Sequence, residues 1–270
     1  MFKRLLKKNC SAQSPSAHVL RDENNFRNNG EKVRNKNLFI LASAYYFAQR
    51  MKRTEDTYQH KGMRRQLINS LREKGIQDER VLEAMNNIPR HWFLDSAFNK
   101  IAYEDRAFPI GEGQTISQPY TVAYQTQLLC VNRGEKILEI GTGSAYQATV
   151  LAEMGARVFT IERQKKLYDH LQHAYIFKGK YPNLKFFYGD GFEGLPSFAP
   201  FDKVIITAAA PFIPQKLIEQ MRMGGMMVIP LDDPEHKNQR MLRITKTPDG
   251  VHEERFDFFS FVPMLSGKNH

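Results

Sequence analysis

From residue 136 onward the chain switches repeatedly between two hydrophobic periods. Short β-branched and aromatic runs at 136–140, 157–161, 184–188, 203–207, 226–231, 241–246 and 256–262 predict strands. The stretches 144–154, 164–177 and 214–223 predict helices between the first several of them. Strand–helix–strand order implies right-handed crossovers and a mainly parallel sheet. No helical stretch separates the last two runs, and Thr-Pro-Asp-Gly at 247–250 is turn chemistry, so the sheet should end in an antiparallel pair. Upstream, 64–74 reads as a helix closed by Gly75. Asp78 is placed to cap a second helix, with Val81, Leu82, Met85 and Ile88 on one face and Pro89 as its stop. The expected architecture over 63–270 is an α/β, doubly wound, Rossmann-like domain with an N-terminal helical subdomain and antiparallel C-terminal strands.

Residues 1–62 lack that patterning. The first 37 are polar, rich in Asn, Lys and Arg, and read as a disordered leader. An apolar run at 38–48 is shorter than the roughly 20 residues a spanning helix needs, so stable membrane insertion is not expected. With Arg34 and Lys36 before it, that run has the length of an export-signal core. Its distance from Met1, and Tyr46 at the position where a small residue should precede cleavage, favour a misassigned upstream start or a docking helix instead.

Charge changes the picture less than its total suggests. The formal net charge is +10, but residues 1–62 hold 13 of the 39 basic and 5 of the 29 acidic side chains. The remainder, 26 basic against 24 acidic, is nearly neutral, and a phosphate-tracking face needs clustered cations on the folded domain. Nucleic acid is therefore not an expected partner. The two cysteines, Cys10 and Cys130, make no disulfide framework, and Cys130 reads as a buried core thiol. No His/Cys spacing suggests a metal site; His91 and Trp92 read as packing, His170 and His173 as surface.

The chemistry should lie at the carboxyl ends of the first strands. There the first strand runs into Glu139-Ile140-Gly141-Thr142-Gly143-Ser144-Ala145. Two glycines allow a tight turn and close ligand approach, and the next helix offers free N–H groups. Glu162 closes the second strand, where a carboxylate can accept from both ribose hydroxyls. Asp190, between Gly189 and Gly191, closes the third and can accept from an adenine amino group. A dinucleotide fingerprint would need glycine at 146, which is tyrosine. Glu139 suits a ligand with an ammonium and a sulfonium and would repel a pyrophosphate. Charge complementarity thus favours S-adenosyl-L-methionine, whose cytoplasmic origin makes the cytoplasm the default location; export through 34–48 would make it periplasmic.

Several segments together resemble the protein-L-isoaspartate (D-aspartate) O-methyltransferase family. They are GQTISQPY (113–120), KILEIGTGSAYQATVLA (136–152), VFTIER (158–163), YGDGFEGLP (188–196), FDKVIITAAAP (201–211), GGMMVIP (224–230) and FVPM (261–264), with 65–93 similar to the family's N-terminal helices. The resemblance covers 63–264 in order. It implies a class I S-adenosyl-L-methionine-dependent methyltransferase that esterifies the free carboxylate of L-isoaspartyl residues in damaged proteins, beginning repair through a succinimide. It makes Ser117 the active-site serine and Gly141, Gly143, Glu162 and Asp190 cofactor positions; Glu139 joins them by its charge, and Ser144 and Gly191 by adjacency. Gln114, Thr115 and Gln118, and Thr207 and Ala208 in the small-residue run after the fourth strand, become candidates for holding the acceptor peptide. Residue 145, commonly glycine in the family, is alanine here, and its methyl is expected to add bulk beside the cofactor's amino-acid end.

Ser117 taken alone reads better as a helix cap, with Pro119 behind it; the resemblance turns it into an orienter of the acceptor carboxylate. That carboxylate is already ionised at neutral pH, so no strong base is needed. Isoaspartyl peptides and proteins are the expected partners, no metal is expected, and the chain is expected to act as a monomer. The competing readings are another class I methyltransferase acting on a small molecule or nucleic acid, and a noncatalytic module that keeps only the binding fold.

Overall fold

The computed structural model describes residues 55–269. The expectations for 1–37, for 38–48 and for Cys10 lie outside the described residues. Helix α1 (Tyr58–Glu73) begins six residues before the periodicity suggested. Its signal was a capping box: the Thr57 hydroxyl accepts from His60 N–H, and the His60 ring accepts from Thr57 N–H. Asp56 adds a two-pronged ion pair to Arg64 at 3.0 and 2.9 Å. Helix α2 (Glu79–Asn87) is capped by Asp78 as expected. A hairpin of β1 (Phe108–Gly111) and β2 (Gln114–Ile116) follows, turning through positive φ at Glu112 and Gly113.

Next come α3 (Pro119–Leu129), β3 (Lys136–Ile140), α4 (Tyr146–Glu153), β4 (Arg157–Glu162), α5 (Lys165–Ala174), β5 (Leu184–Tyr188), β6 (Phe201–Ile206), α6 (Gln215–Glu219), β7 (Met221–Asp232), β8 (Gln239–Thr247) and β9 (Gly250–Phe259). The seven-stranded sheet has the order β5-β4-β3-β6-β7-β8-β9. The first five are parallel, and β7-β8-β9 are antiparallel. The chain runs outward from β3 through β4 to β5, then returns to β6 on the other side of β3. The strand order therefore reverses beside β3, where a crevice opens at the strands' carboxyl ends.

Strand β3 is buried beyond its first residue because helices cover both sheet faces. Ile137, Ile205 and Val228 join the core under α1–α4, and Leu138, Ile140, Val204, Ile206, Met227 and Ile229 join the core on the opposite face. Helix 214–223 was overestimated. It stops at Glu219, because Met221 already pairs with Phe201, and the 224–225 glycines sit in the bulge where the register shifts. Cys130 also departs from expectation. It is exposed, with φ 52°, and ends α3 in the left-handed conformation.

Candidate active site

The cofactor wall grows from the end of β3. Gly141 and Gly143 have φ of 97° and 52°. At Gly141 the need for glycine is double, since a Cβ would stand 2.6 Å from Thr207 Oγ1. The Thr207 hydroxyl lies 2.9 Å from Ile140 O and 2.7 Å from Gly141 O, so its proton is committed to the loop rather than free for substrate. Glu162 holds the other side: Gly143 N–H donates to Oε2 at 2.9 Å and Gln164 N–H to Oε1 at 2.8 Å. Burial pushes its carboxyl upward while those N–H groups pull the other way. Each oxygen keeps acceptor capacity for a ligand hydroxyl.

Three cofactor candidates sit differently from one another. Glu139 is completely buried behind the loop and does not line the cavity. Neither of its oxygens has a hydrogen-bond partner, and the Thr160 hydroxyl, bonded to Thr142 Oγ1 at 2.7 Å, only partly offsets burial. Burial thus pushes this carboxyl up to about 8, with the Glu162 charge adding to the rise. Asp190 accepts from Phe192 N–H at 2.9 Å and from Gly267 N–H at 2.6 Å, one bond on each oxygen, and does not itself line the cavity. Gly191 does line the cavity, but a Cβ there would overlap Ile140 Cγ2, so its glycine serves core packing. Ser144 lines the cavity and accepts from Tyr146 N–H at 3.3 Å.

The acceptor wall is built by the β1–β2 hairpin. Ile116 is buried and anchors it, and Ser117 follows. The cap of α3 is Gln118, without a side-chain bond, so the structure does not support the helix-cap reading of Ser117. The Ser117 hydroxyl has no hydrogen-bond partner among the described residues. A cavity holds Gln114, Gly141, Gly143, Ser144, Glu162 and Ala208 on its walls. A groove runs past Gln118, Tyr120 and Phe259. Thr115, Ser117, Thr207 and Val262 line both. Ser117 therefore stands at the seam between a glycine-loop cavity and an open groove. The small residues after β6 admit the C-terminal segment: Ala209 N–H donates to Val262 O at 2.8 Å, and Met264 N–H to Ala209 O at 2.7 Å.

A family model described as protein-L-isoaspartate(D-aspartate) O-methyltransferase matches residues 62–269. A protein-L-isoaspartate O-methyltransferase from Cytophaga hutchinsonii is 55% identical over 212 residues, 78% of this chain and 94% of the relative. One from Flavobacterium johnsoniae is 51% identical over 215 residues, 80% of this chain and all of the relative. A solved protein-L-isoaspartate O-methyltransferase superposes with a TM-score of 0.67 at 25% identity, covering 74% of this chain and 65% of its own. A Plasmodium falciparum structure, titled a putative enzyme of that name in complex with S-adenosyl-L-homocysteine, superposes at 0.63 and 24% identity, covering 76% and 98%.

The chain belongs to the protein-L-isoaspartate O-methyltransferase family.

The fold expected from that resemblance is the one observed. Sequence reading missed several lining groups of this family member, including Tyr146, Gln147, Arg163 and Leu265. Tyr146 had been weighed only as an absent glycine. Residues 265–269 carried no signal, yet Asn269 N–H donates to Arg163 O at 2.9 Å and Arg163 reaches Gly267 O at 3.1 Å. Spacing also hid one His/Asp grouping. Asp56, His60 and His91 offer ligand atoms within 4.8 Å of one another. The two imidazoles stack at 3.8 Å, however, so their in-plane lone pairs do not converge, and Asp56 grips Arg64. His91 is buried with Nδ1 2.8 Å from Tyr103 Oη, consistent with packing; His170 and His173 are exposed.

Proposed function

We propose that this chain transfers the methyl group of S-adenosyl-L-methionine to the free carboxylate of L-isoaspartyl residues in damaged proteins and peptides. The observation that carries the reading is the position of Ser117, whose hydroxyl has no hydrogen-bond partner among the described residues, where cavity and groove meet. The cavity residues fit the donor. The glycine loop lines the cavity and Glu162 can accept from a diol, whereas Glu139, buried behind the loop with its carboxyl pushed up to about 8, is mostly neutral at pH 7 and does not supply the charge expected of it. The donor supplies an activated methyl on a positive sulfur, so the protein need not generate a strong nucleophile.

The acceptor carboxylate enters from the groove already ionised. Ser117 donates one hydrogen bond to one of its oxygens and aims the other at the cavity. Holding the reacting atoms in line lowers a barrier of this kind by about 7–11 kcal/mol in favourable cases. The cavity walls exclude water that would otherwise stabilise the carboxylate. Thr207, which lines both cavity and groove, and Ala208 on the cavity wall offer backbone and small side chains that suit a substrate defined by main-chain damage. Dependence on a donor made in the cytoplasm supports a cytoplasmic enzyme, and no helix among the described residues is long and apolar enough to cross a membrane.

The test is transfer of labelled methyl to matched synthetic peptides, one isoaspartyl and one aspartyl. Base-labile label confined to the isoaspartyl peptide is the expected result. Label in neither, or in both equally, would remove the proposed acceptor.

A further inference from the structure

We infer that Arg90 is a positioning residue for this reaction, its guanidinium fixing the Ser117 loop against the first residue of the glycine-loop helix. The inference rests on the proposed methyl transfer. Arg90 is completely buried, and no carboxylate bonds it among the described residues. Its partners are instead main-chain carbonyls from three places in one stretch. Nε donates to Ala102 O at 3.2 Å, and Nη2 donates to Arg106 O at 3.4 Å and Ser117 O at 2.8 Å. Those carbonyls flank the β1–β2 hairpin on both sides, so one planar group closes the stretch 102–117 into a ring.

The face of the same guanidinium lies 5.0 Å from the centre of the Tyr146 ring. Tyr146 opens α4 directly after the glycine loop and lines the cavity. Arg90 therefore touches both walls of the cleft through groups that need no side-chain carboxylate. The Asp105 carboxylate, whose field reaches it, is spent on Lys74 at 2.6 Å and Tyr120 N–H at 2.8 Å.

An apolar side chain would fill this volume without desolvating a charge. What it would not do is bind three carbonyls spaced along 102–117. A lysine would not either, because an ammonium lacks the flat fork that spans them. The guanidinium stays charged at neutral pH even though burial pulls it down to about 10. Its geometry and its charge are both used: the fork by the carbonyls, the positive face by Tyr146.

The test is a double-mutant cycle with Arg90→Lys, Arg90→Gln and Ser117→Ala, read by steady-state kinetics on an isoaspartyl peptide and by calorimetry with S-adenosylhomocysteine. Arg90→Lys is expected to lower kcat roughly 10-fold or more, with peptide KM and S-adenosylhomocysteine Kd changed less than about threefold. In the Ser117→Ala background it should cost no more than about threefold further, because the effect runs through Ser117. Losses that multiply, an unchanged kcat, or a Kd that worsens in step would overturn the assignment. Arg90→Gln removes the buried charge and covers the case in which lysine is not tolerated. If both variants melt below the assay temperature, Arg90 is a fold element and the positioning role fails. If the wild type methylates no isoaspartyl peptide, the functional reading fails. Hydrogen exchange then decides the structural half: faster exchange at 113–118 than at 146–153 in the variant supports it, and equal change in both overturns it.

Discussion

The two walls of the cleft are built on opposite plans. The cofactor wall is local: β3, its glycine turn and α4 are consecutive in the chain, and Glu162 reaches back only nineteen positions to hold Gly143. The acceptor wall is assembled at a distance. Ser117 is held by Arg90 from twenty-seven residues upstream, and its groove is completed by β9 and the segment after it. A local wall fails by losing a conformation, and an assembled wall fails by losing a contact. Substitutions on the two sides should therefore damage binding and turnover separately.

The sharpest break is Gly141→Ala. Positive φ and a Cβ 2.6 Å from Thr207 Oγ1 act together, so both the turn and the Thr207 latch must move. Affinity for S-adenosylhomocysteine by calorimetry should fall roughly 100-fold, about 3 kcal/mol. Near-normal affinity would mean that the loop is not the binding wall. On the other side, Ser117→Ala should lower kcat roughly 30-fold, the scale of one oriented donor, and leave that affinity within about twofold. If the serine variant lost cofactor affinity as well, the division between the walls would collapse.

The next effect concerns charge rather than shape. The Glu139 carboxyl is raised to about 8 when folded, against an ordinary value near 4.5 in the unfolded chain. A group raised in this way contributes stability that is present below the lower value and lost as pH climbs through the upper one. The ligand-free protein should therefore weaken between about pH 5 and pH 9. Glu139→Gln should flatten that slope, raising Tm by several degrees over wild type at pH 9 and little at pH 5. Thermal melts at the two pH values check it. Parallel slopes for both proteins would mean that Glu139 titrates as an exposed acid.

The difference between the walls also explains what could be read from the sequence. β3 and β5 were legible to the residue, and the glycine loop with Glu162 stood out because strand, turn, helix and acid follow one another at fixed spacing. Gln114–Ile116 did not register as a strand, since three residues carry too little period and their hairpin partner contains Pro109. Arg90 gave no signal, because its carbonyl partners are invisible to side-chain pattern. Asp190 was placed at the right strand end, but its bond to Gly267 spans 77 positions and no local rule reports it. Cys130 was misread because an apolar neighbourhood suggested burial, while helix termination turned it outward.

Ala145 probes the local wall most gently. It adopts φ 67° and ψ 14° and is held there by its N–H on Thr142 O at 2.8 Å, and by its carbonyl accepting from Thr149 N–H at 3.0 Å and Oγ1 at 2.6 Å. Left-handed backbone costs a non-glycine residue about 1–2 kcal/mol, which is the physical reason a glycine would suit this position. Ala145→Gly relieves that cost but gives the unfolded chain more freedom, about 0.4–1 kcal/mol in the other direction. The net gain in stability should be below about 1 kcal/mol, visible as a small rise in Tm. The methyl was expected to crowd the cofactor, yet Ala145 is buried and does not line the cavity. S-adenosylhomocysteine affinity should therefore stay the same in the glycine variant. A clear tightening would show that the methyl restrains the loop in the bound state, and the local wall would then be less self-contained than its bonds imply.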